Sequence, residues 1–136
     1  MGSRLNPYLA FDGQARAAME HYKKVFGGDL SIMAFGDFGQ TDPALKDRVM
    51  HARLETPSGF TLMASDTPPG TSARPAGNVS VSLSGDDEGE LRRFWAGLSD
   101  GGGVQMPLEK QAWGDVFGMC TDRFGVEWMV NIGQPA

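Results

Sequence analysis

The chain has 136 residues, enough to bury one core, and its 19 glycines and 8 prolines point to short elements joined by tight turns. A net charge of −5 with only 12 scattered basic residues excludes the clustered Lys and Arg that nucleic acid or an anionic membrane surface requires. The single cysteine, Cys120, excludes an internal disulfide framework and a cysteine zinc cluster, and fits a cytoplasmic location.

"NPYLAF" reads as a strand. It runs into "DGQARAAMEHYKKVFGG", where Ala15, Ala18, Met19, Tyr22, Val25 and Phe26 recur at helical spacing. Asp12 is the expected cap of that helix, and Gly27 with Gly28 its stop. "DLSIMAF" is a second strand, and "GDFGQTDPALKD" a long connection with room for one helical turn. "RVMHARLETPSGFTLMAS" is a hairpin around "TPSG", and the Pro/Gly-rich "DTPPGTSARPAG" reads as a linker. Beyond it, "NVSVSLSG" alternates as a half-buried strand does. "DDEGELRRFWAGLSDGGG" places Leu91, Phe94, Trp95 and Leu98 on one helical stripe, and "VQMPLEK", "DVFGMCTD" and "GVEWMVNI" supply three more strands. No stretch approaches the roughly 18 apolar residues of a membrane span, and "MGSRLNPYLAF" lacks the apolar core of a secretion signal.

The order strand, helix, three strands thus occurs twice, which predicts an α+β fold. Two βαβββ modules, about 4–66 and about 77–133, are expected to form a single domain with paired mixed sheets around a cleft. Asn6 and Asn78 align at an offset of 72, as do Met19 with Leu91 and Tyr22 with Phe94; Gly59 and Gly125 align at 66.

Strand alternation assigns the faces. Leu9, Phe11, Met50, Ala52, Leu54, Phe60, Leu62, Ala64, Val79, Val81, Leu83, Val126, Trp128 and Val130 are expected under the helices. The opposite faces then carry Asn6, Tyr8, His51, Arg53, Thr61, Met63, Asn78, Ser80, Ser82, Glu127, Met129 and Asn131. That mixture of amides, hydroxyls and methionines suits a semi-enclosed site for a small-molecule ligand better than a solvated surface.

Each of these residues has a chemical and a structural reading. Glu127 among apolar neighbours suits proton transfer, or it hydrogen-bonds Asn6, Asn78 or Tyr8 and keeps strands in register. His51 is a natural proton shuttle, or it stacks on Tyr8 or pairs with Glu55. Arg53 can clamp an anion through its planar fork, or form an ion pair with Glu55 or Asp66. Met63 and Met129 offer an adaptable apolar floor, and Trp113 in "QAWG" an exposed ring for stacking or for a second subunit. Cys120 is expected to be a small buried hydrophobe, and His21 a surface residue.

The segments "PYLAFDGQARAAMEHYKKVFGG", "RVMHARLE", "LMASDTPPG" and "MPLEKQAWGDVFGMCTDRFGVEWMVN" resemble the PhnB-like branch of the vicinal oxygen chelate superfamily, which includes glyoxalase I, extradiol dioxygenases and bleomycin-resistance proteins. The resemblance implies a homodimer. It also implies a divalent metal held by two His and two Glu, or by two His and one Glu, at positions that fall here on Asn6, Thr61, Asn78 and Glu127. One carboxylate and no histidine stand there, so no cofactor or catalytic metal is expected. The branch also carries a demethylubiquinone methyltransferase label, which the absence of a glycine-rich nucleotide turn does not support.

The resulting expectation is a small-molecule binding protein of the bleomycin-resistance type, with Asn6, Tyr8, Arg53, Thr61, Met63, Asn78, Ser80, Trp113 and Met129 contacting ligand. The alternative is a metal-dependent lyase or oxygenase of the glyoxalase or dioxygenase kind, with Glu127 and His51 as catalytic residues.

Overall fold

The computed structural model describes residues 2–67 and 78–133, which fall in two compact units, Met1–Pro75 and Ala76–Ala136. The linker expected at 66–77 lies, from residue 68 on, outside the described residues.

In the first unit, helix α1 (Ala15–Phe26) buries Ala15, Ala18, Met19, Tyr22 and Phe26, a stripe that recurs every three or four residues. That stripe packs on a mixed sheet of β1 (Tyr8–Phe11), β2 (Asp29–Ala34), β3 (Val49–Glu55) and β4 (Thr61–Asp66), in the order β1-β4-β3-β2. β1 runs parallel to β4, and the other pairs are antiparallel. The long connection after β2 holds one 3-10 turn, Phe35–Phe38.

The second unit repeats the plan. Helix α2 (Glu88–Ser99) buries Leu91, Phe94 and Leu98 over β5 (Val81–Gly85), β6 (Gly103–Lys110), β7 (Val116–Thr121) and β8 (Glu127–Ile132), ordered β5-β8-β7-β6. The fold is therefore α+β, built from two βαβββ modules. No helix among the described residues is long and apolar enough to cross a membrane.

Alternation puts the cores where the sequence predicts, except at the start of β3, where a register shift in the β2–β3 pairing leaves Val49 buried and Met50, expected under the helix, half-buried. Ala52, Leu54, Leu62 and Ala64 are buried in the first module, and Leu83, Cys120, Trp128 and Val130 in the second. Each fully buried large apolar side chain contributes about 1.5–3 kcal/mol, so these stripes, more than helix propensity, hold the helices down. Gly118 marks a tight approach in the second core: a Cβ there would lie 2.8 Å from the Trp95 ring and 2.9 Å from the Leu108 backbone.

Three further details differ from the sequence reading. The first is the start of β5. The strand begins at Val81, so Asn78 and Val79 precede it, and Val79 is 76% exposed instead of lying under the helix. β5 has one neighbour, β8, and the chain before Glu127 is already turning at Gly125 (φ 91°), so residues 78 and 79 have no strand to pair with.

The second difference concerns the repeat. Leu9 faces Ala64 in the first module and Leu83 faces Val130 in the second, which sets the first-strand offset at 74. The hairpins keep their offset of 66, since Leu54 faces Leu62 as Cys120 faces Trp128. The counterpart of Asn6 is therefore Ser80, and Asn78 has no role as its equivalent.

The third is the helix cap. Asp12 does not cap α1; it pairs with Arg48 at 3.0 Å. Asp66, at the end of β4 and opposite Phe11, accepts the Ala15 N–H at 3.0 Å with Oδ1 and the Val49 N–H at 2.9 Å with Oδ2. Helix α2 is capped from its own sequence by Asp87, which accepts the Glu90 N–H at 3.1 Å.

Candidate functional site

Each sheet has one face under its helix and one turned away. In β4, Leu62, Ala64 and Asp66 are buried while Thr61, Met63 and Ser65 are half-buried. In β8, Trp128, Val130 and Ile132 are buried while Glu127, Met129 and Asn131 are half-buried. Glu127 thus lies on the helix-free face.

On the first module's helix-free face one ladder row runs Tyr8, Met63, Arg53, Ser31 across β1, β4, β3 and β2. The Tyr8 hydroxyl lies 3.2 Å from His51 Nδ1, and the two rings are 5.8 Å apart. His51 therefore pairs with Tyr8, and Arg53 takes the ion-pair option with Glu55, at 3.3 Å. Both members of that pair are about half exposed (50% and 49%), so solvent screens it to about 0–1 kcal/mol. Thr61 faces Glu55 across the hairpin, and Asn6 is half-buried just ahead of β1.

The second module's face is different in kind. Met106, Met119, Met129 and Ser82 form one continuous row across β6, β7, β8 and β5. On one side of it lies the row of Phe117, Asn131 and Ser84. The Trp113 ring, 63% exposed in the β6–β7 turn, sits 6.0 Å from Phe117 at 61°, and the Asn131 amide donates to Asp115 Oδ2 at 3.1 Å. On the other side Glu127 faces Thr121, and the Ser80 hydroxyl donates to Glu127 Oε2 at 3.1 Å. Within its own module Glu127 is held by Ser80, and not by Asn78.

The structure therefore brings together Glu127, Ser80 and Met129 on one sheet, and Tyr8, His51, Arg53 and Met63 on the other. Asn78 joins neither, being exposed and outside the strands. Phe117, Met119 and Met106 were absent from the sequence-based set. The first two were legible, because Cys120 on the helix side of "DVFGMC" puts them on the opposite side. Met106 was not, because β6 shifts register on both sides of it and parity breaks there. Cys120 is buried at 1% exposure, and burial, then the nearby Asp122 carboxylate, push its thiol up to about 11.

Comparison with known proteins settles the family. Residues 3–131 match the model of the family described as 3-demethylubiquinone-9 3-methyltransferase. The solved structure of PA1353 from Pseudomonas aeruginosa is 43% identical, with 98% of this chain and 100% of that one covered, at a TM-score of 0.88. The chain belongs to this family, the PhnB-like branch of the vicinal oxygen chelate superfamily.

Other PhnB-like and superfamily structures share the fold. A Bacillus cereus structure described as a putative 3-demethylubiquinone-9 3-methyltransferase, PhnB protein, is 24% identical, covers 96% of this chain and 100% of its own, and has a TM-score of 0.72. A glyoxylase/bleomycin resistance protein/dioxygenase domain from Frankia is 12% identical, covers 98% and 99%, and has a TM-score of 0.67.

The superfamily's metal finds a poor donor set in this PhnB-like chain. The positions that the register makes equivalent are Asn6 with Ser80 and Thr61 with Glu127, which offer an amide, two hydroxyls and one carboxylate. Among the described residues no three His, Cys, Asp or Glu side chains gather in a group that could hold a metal ion. Neutral oxygen donors with one carboxylate, itself bonded to a serine, do not fit the nitrogen- and carboxylate-rich sets that hold transition metals.

Proposed function

We propose that this PhnB-like chain binds a small molecule on the helix-free face of the second module and does so without a resident metal. The observation that carries the reading is the row of Met106, Met119 and Met129 in one ladder register. Flexible, polarizable thioethers give an apolar floor that adapts to its occupant, where a solvated sheet face would present Thr, Lys and Glu. Strands about 4.8 Å apart make that floor about 10 Å wide, the size of a fused aromatic system. Phe117 and Trp113 add stacking area at one end, and Ser80 with Glu127 supply polar contacts at the other. Tyr8, Arg53, Thr61 and Met63, with Asn6, are proposed as a second ligand-contacting surface on the first module.

A second reading, an enzyme of the glyoxalase or dioxygenase kind using His51 and Glu127, draws on the Tyr8–His51 contact at 3.2 Å, which would suit proton relay. The methyl transfer named in the family description has less to recommend it. The strand-to-helix connections, Asp12–Gly13–Gln14 and Asp86–Asp87, lack the glycine-rich turn that cradles a nucleotide.

Thermal-shift screening with aromatic metabolites, beside elemental analysis of protein purified without chelator, tests the proposal. A ligand at 100 times its Kd adds about 2.7 kcal/mol, and the shift should shrink in Met129→Ala. Stoichiometric Ni, Zn, Fe or Mn that is lost in Glu127→Gln would overturn the metal-free reading in favour of the enzyme.

A further inference from the structure

We infer that the ligand of the second module's face is a planar aromatic cation, an inference that rests on the binding reading above. The ladder places on this face Ser82 and Ser84 from β5, Glu127, Met129 and Asn131 from β8, Phe117, Met119 and Thr121 from β7, and Met106 and Glu109 from β6, and Ser80, just ahead of β5, joins them through its bond to Glu127. None of these is Lys, Arg or His, so every charge the ladder puts here is negative.

The comparison with the first module sharpens the point. By the hairpin register, Phe117 occupies the place of His51 and Met119 that of Arg53. The duplicated face has exchanged both of its basic residues for large apolar ones, while Glu127 stands where the first module has Thr61. Charge and stacking area have therefore changed together, and in the direction that favours a positively charged ring.

Among the described residues Glu127 has no counter-ion. Among the described residues its side chain is bonded by the Ser80 hydroxyl, at 3.1 Å, and by no cation. An apolar neutral ligand laid on the methionines would strip water from that carboxylate with nothing to replace it. An anion would add repulsion, whereas a cation offsets the desolvation. Phe117 and Trp113, at the opposite end, present ring surfaces that also favour positive charge. From the Glu127 row to the Phe117 row is four residues of strand, about 13 Å, which accommodates two or three fused rings with a charged group at one end.

The test is titration of the full chain with three matched probes, an aminoacridine cation, neutral acridine and an acridine carboxylate, followed by ligand fluorescence and calorimetry. The cation should bind about tenfold more tightly than acridine, and the carboxylate most weakly. Glu127→Gln should remove the preference by weakening the cation and tightening neutral acridine, whose binding no longer strips water from a carboxylate, and Met129→Ala should weaken all three. A preference for acridine or its carboxylate, or a cation preference that survives in a folded Glu127→Gln variant, would overturn the charge inference and leave the binding face standing. Failure of all three probes to bind, or binding indifferent to Met129→Ala, would overturn both.

Discussion

Trp128 donates its indole N–H to Asp122 Oδ2 at 2.8 Å, and both residues are buried, at 1% and 3% exposure. The same carboxylate accepts the Phe124 and Val126 N–H groups through Oδ1, at 2.8 and 3.0 Å, so one acid closes the β7–β8 turn and anchors the largest side chain of that core.

Removing Asp122 leaves buried donors without acceptors. Asp122→Ala should lower stability by about 3 kcal/mol, and Trp128→Phe, which keeps most of the apolar volume, by about 1–2 kcal/mol. Urea denaturation of both variants and of the double variant should give a coupling of about 1 kcal/mol, because the pair shares one bond. Strict additivity would show that the bond contributes nothing beyond packing.

Asp66 plays the corresponding part in the first module across a longer sequence distance. It joins the start of α1 to the start of β3 through Ala15 and Val49. Asp66→Ala is expected to cost about 2–3 kcal/mol, and Asp12→Ala, which removes a partly exposed ion pair with Arg48, less than about 1 kcal/mol. Chemical denaturation midpoints rank the two, and equal losses would contradict the assignment of the cap.

Gly28 and Gly102 occupy equivalent places, each just before the second strand of its module. A Cβ at Gly28 would overlap the Glu55 carbonyl oxygen, and one at Gly102 the Thr121 carbonyl oxygen. Alanine at either should therefore cost more than about 2 kcal/mol, since backbone, not a flexible side chain, must give way. Gly89→Ala in the first turn of α2 meets nothing closer than 3.8 Å and should stabilise by up to about 1 kcal/mol. Melting temperatures of the three variants decide it.

The Cys120 thiol, pushed up to about 11 from 9.0 by burial and then by Asp122, should resist disulfide-exchange reagents at pH 8 in the native protein and react once urea is added. Because the native state holds this proton more tightly than the unfolded chain, its contribution is full below about pH 9. It is lost as pH rises towards about 11. Cys120→Ala should flatten that part of the pH–stability curve, whatever it does to stability at neutral pH.

How much of this was legible beforehand follows from the range over which each feature is set. The helix stripe of Met19, Tyr22 and Phe26 and the alternation in "GVEWMVNI" are local, so they located the helices, the hairpins and the helix-free position of Glu127. The hairpin offset of 66 was equally readable, since a tight turn locks antiparallel register. The helix-free face of the second module was only partly readable, because the shifts around Met106 interrupt the alternation on which the reading depends.

By itself the sequence determined the doubled βαβββ order, the face on which each regular strand position falls, and the scarcity of metal-binding side chains at the family's positions. Only the tertiary structure decided that Ser80, and not Asn78, stands beside Glu127, and that Asp66 caps a helix 51 residues away. The physical reason is the same for both. A parallel pair such as β5 with β8 or β1 with β4 is joined through a whole module, so no turn dictates its register, and packing of the intervening helix and hairpin sets which residues meet.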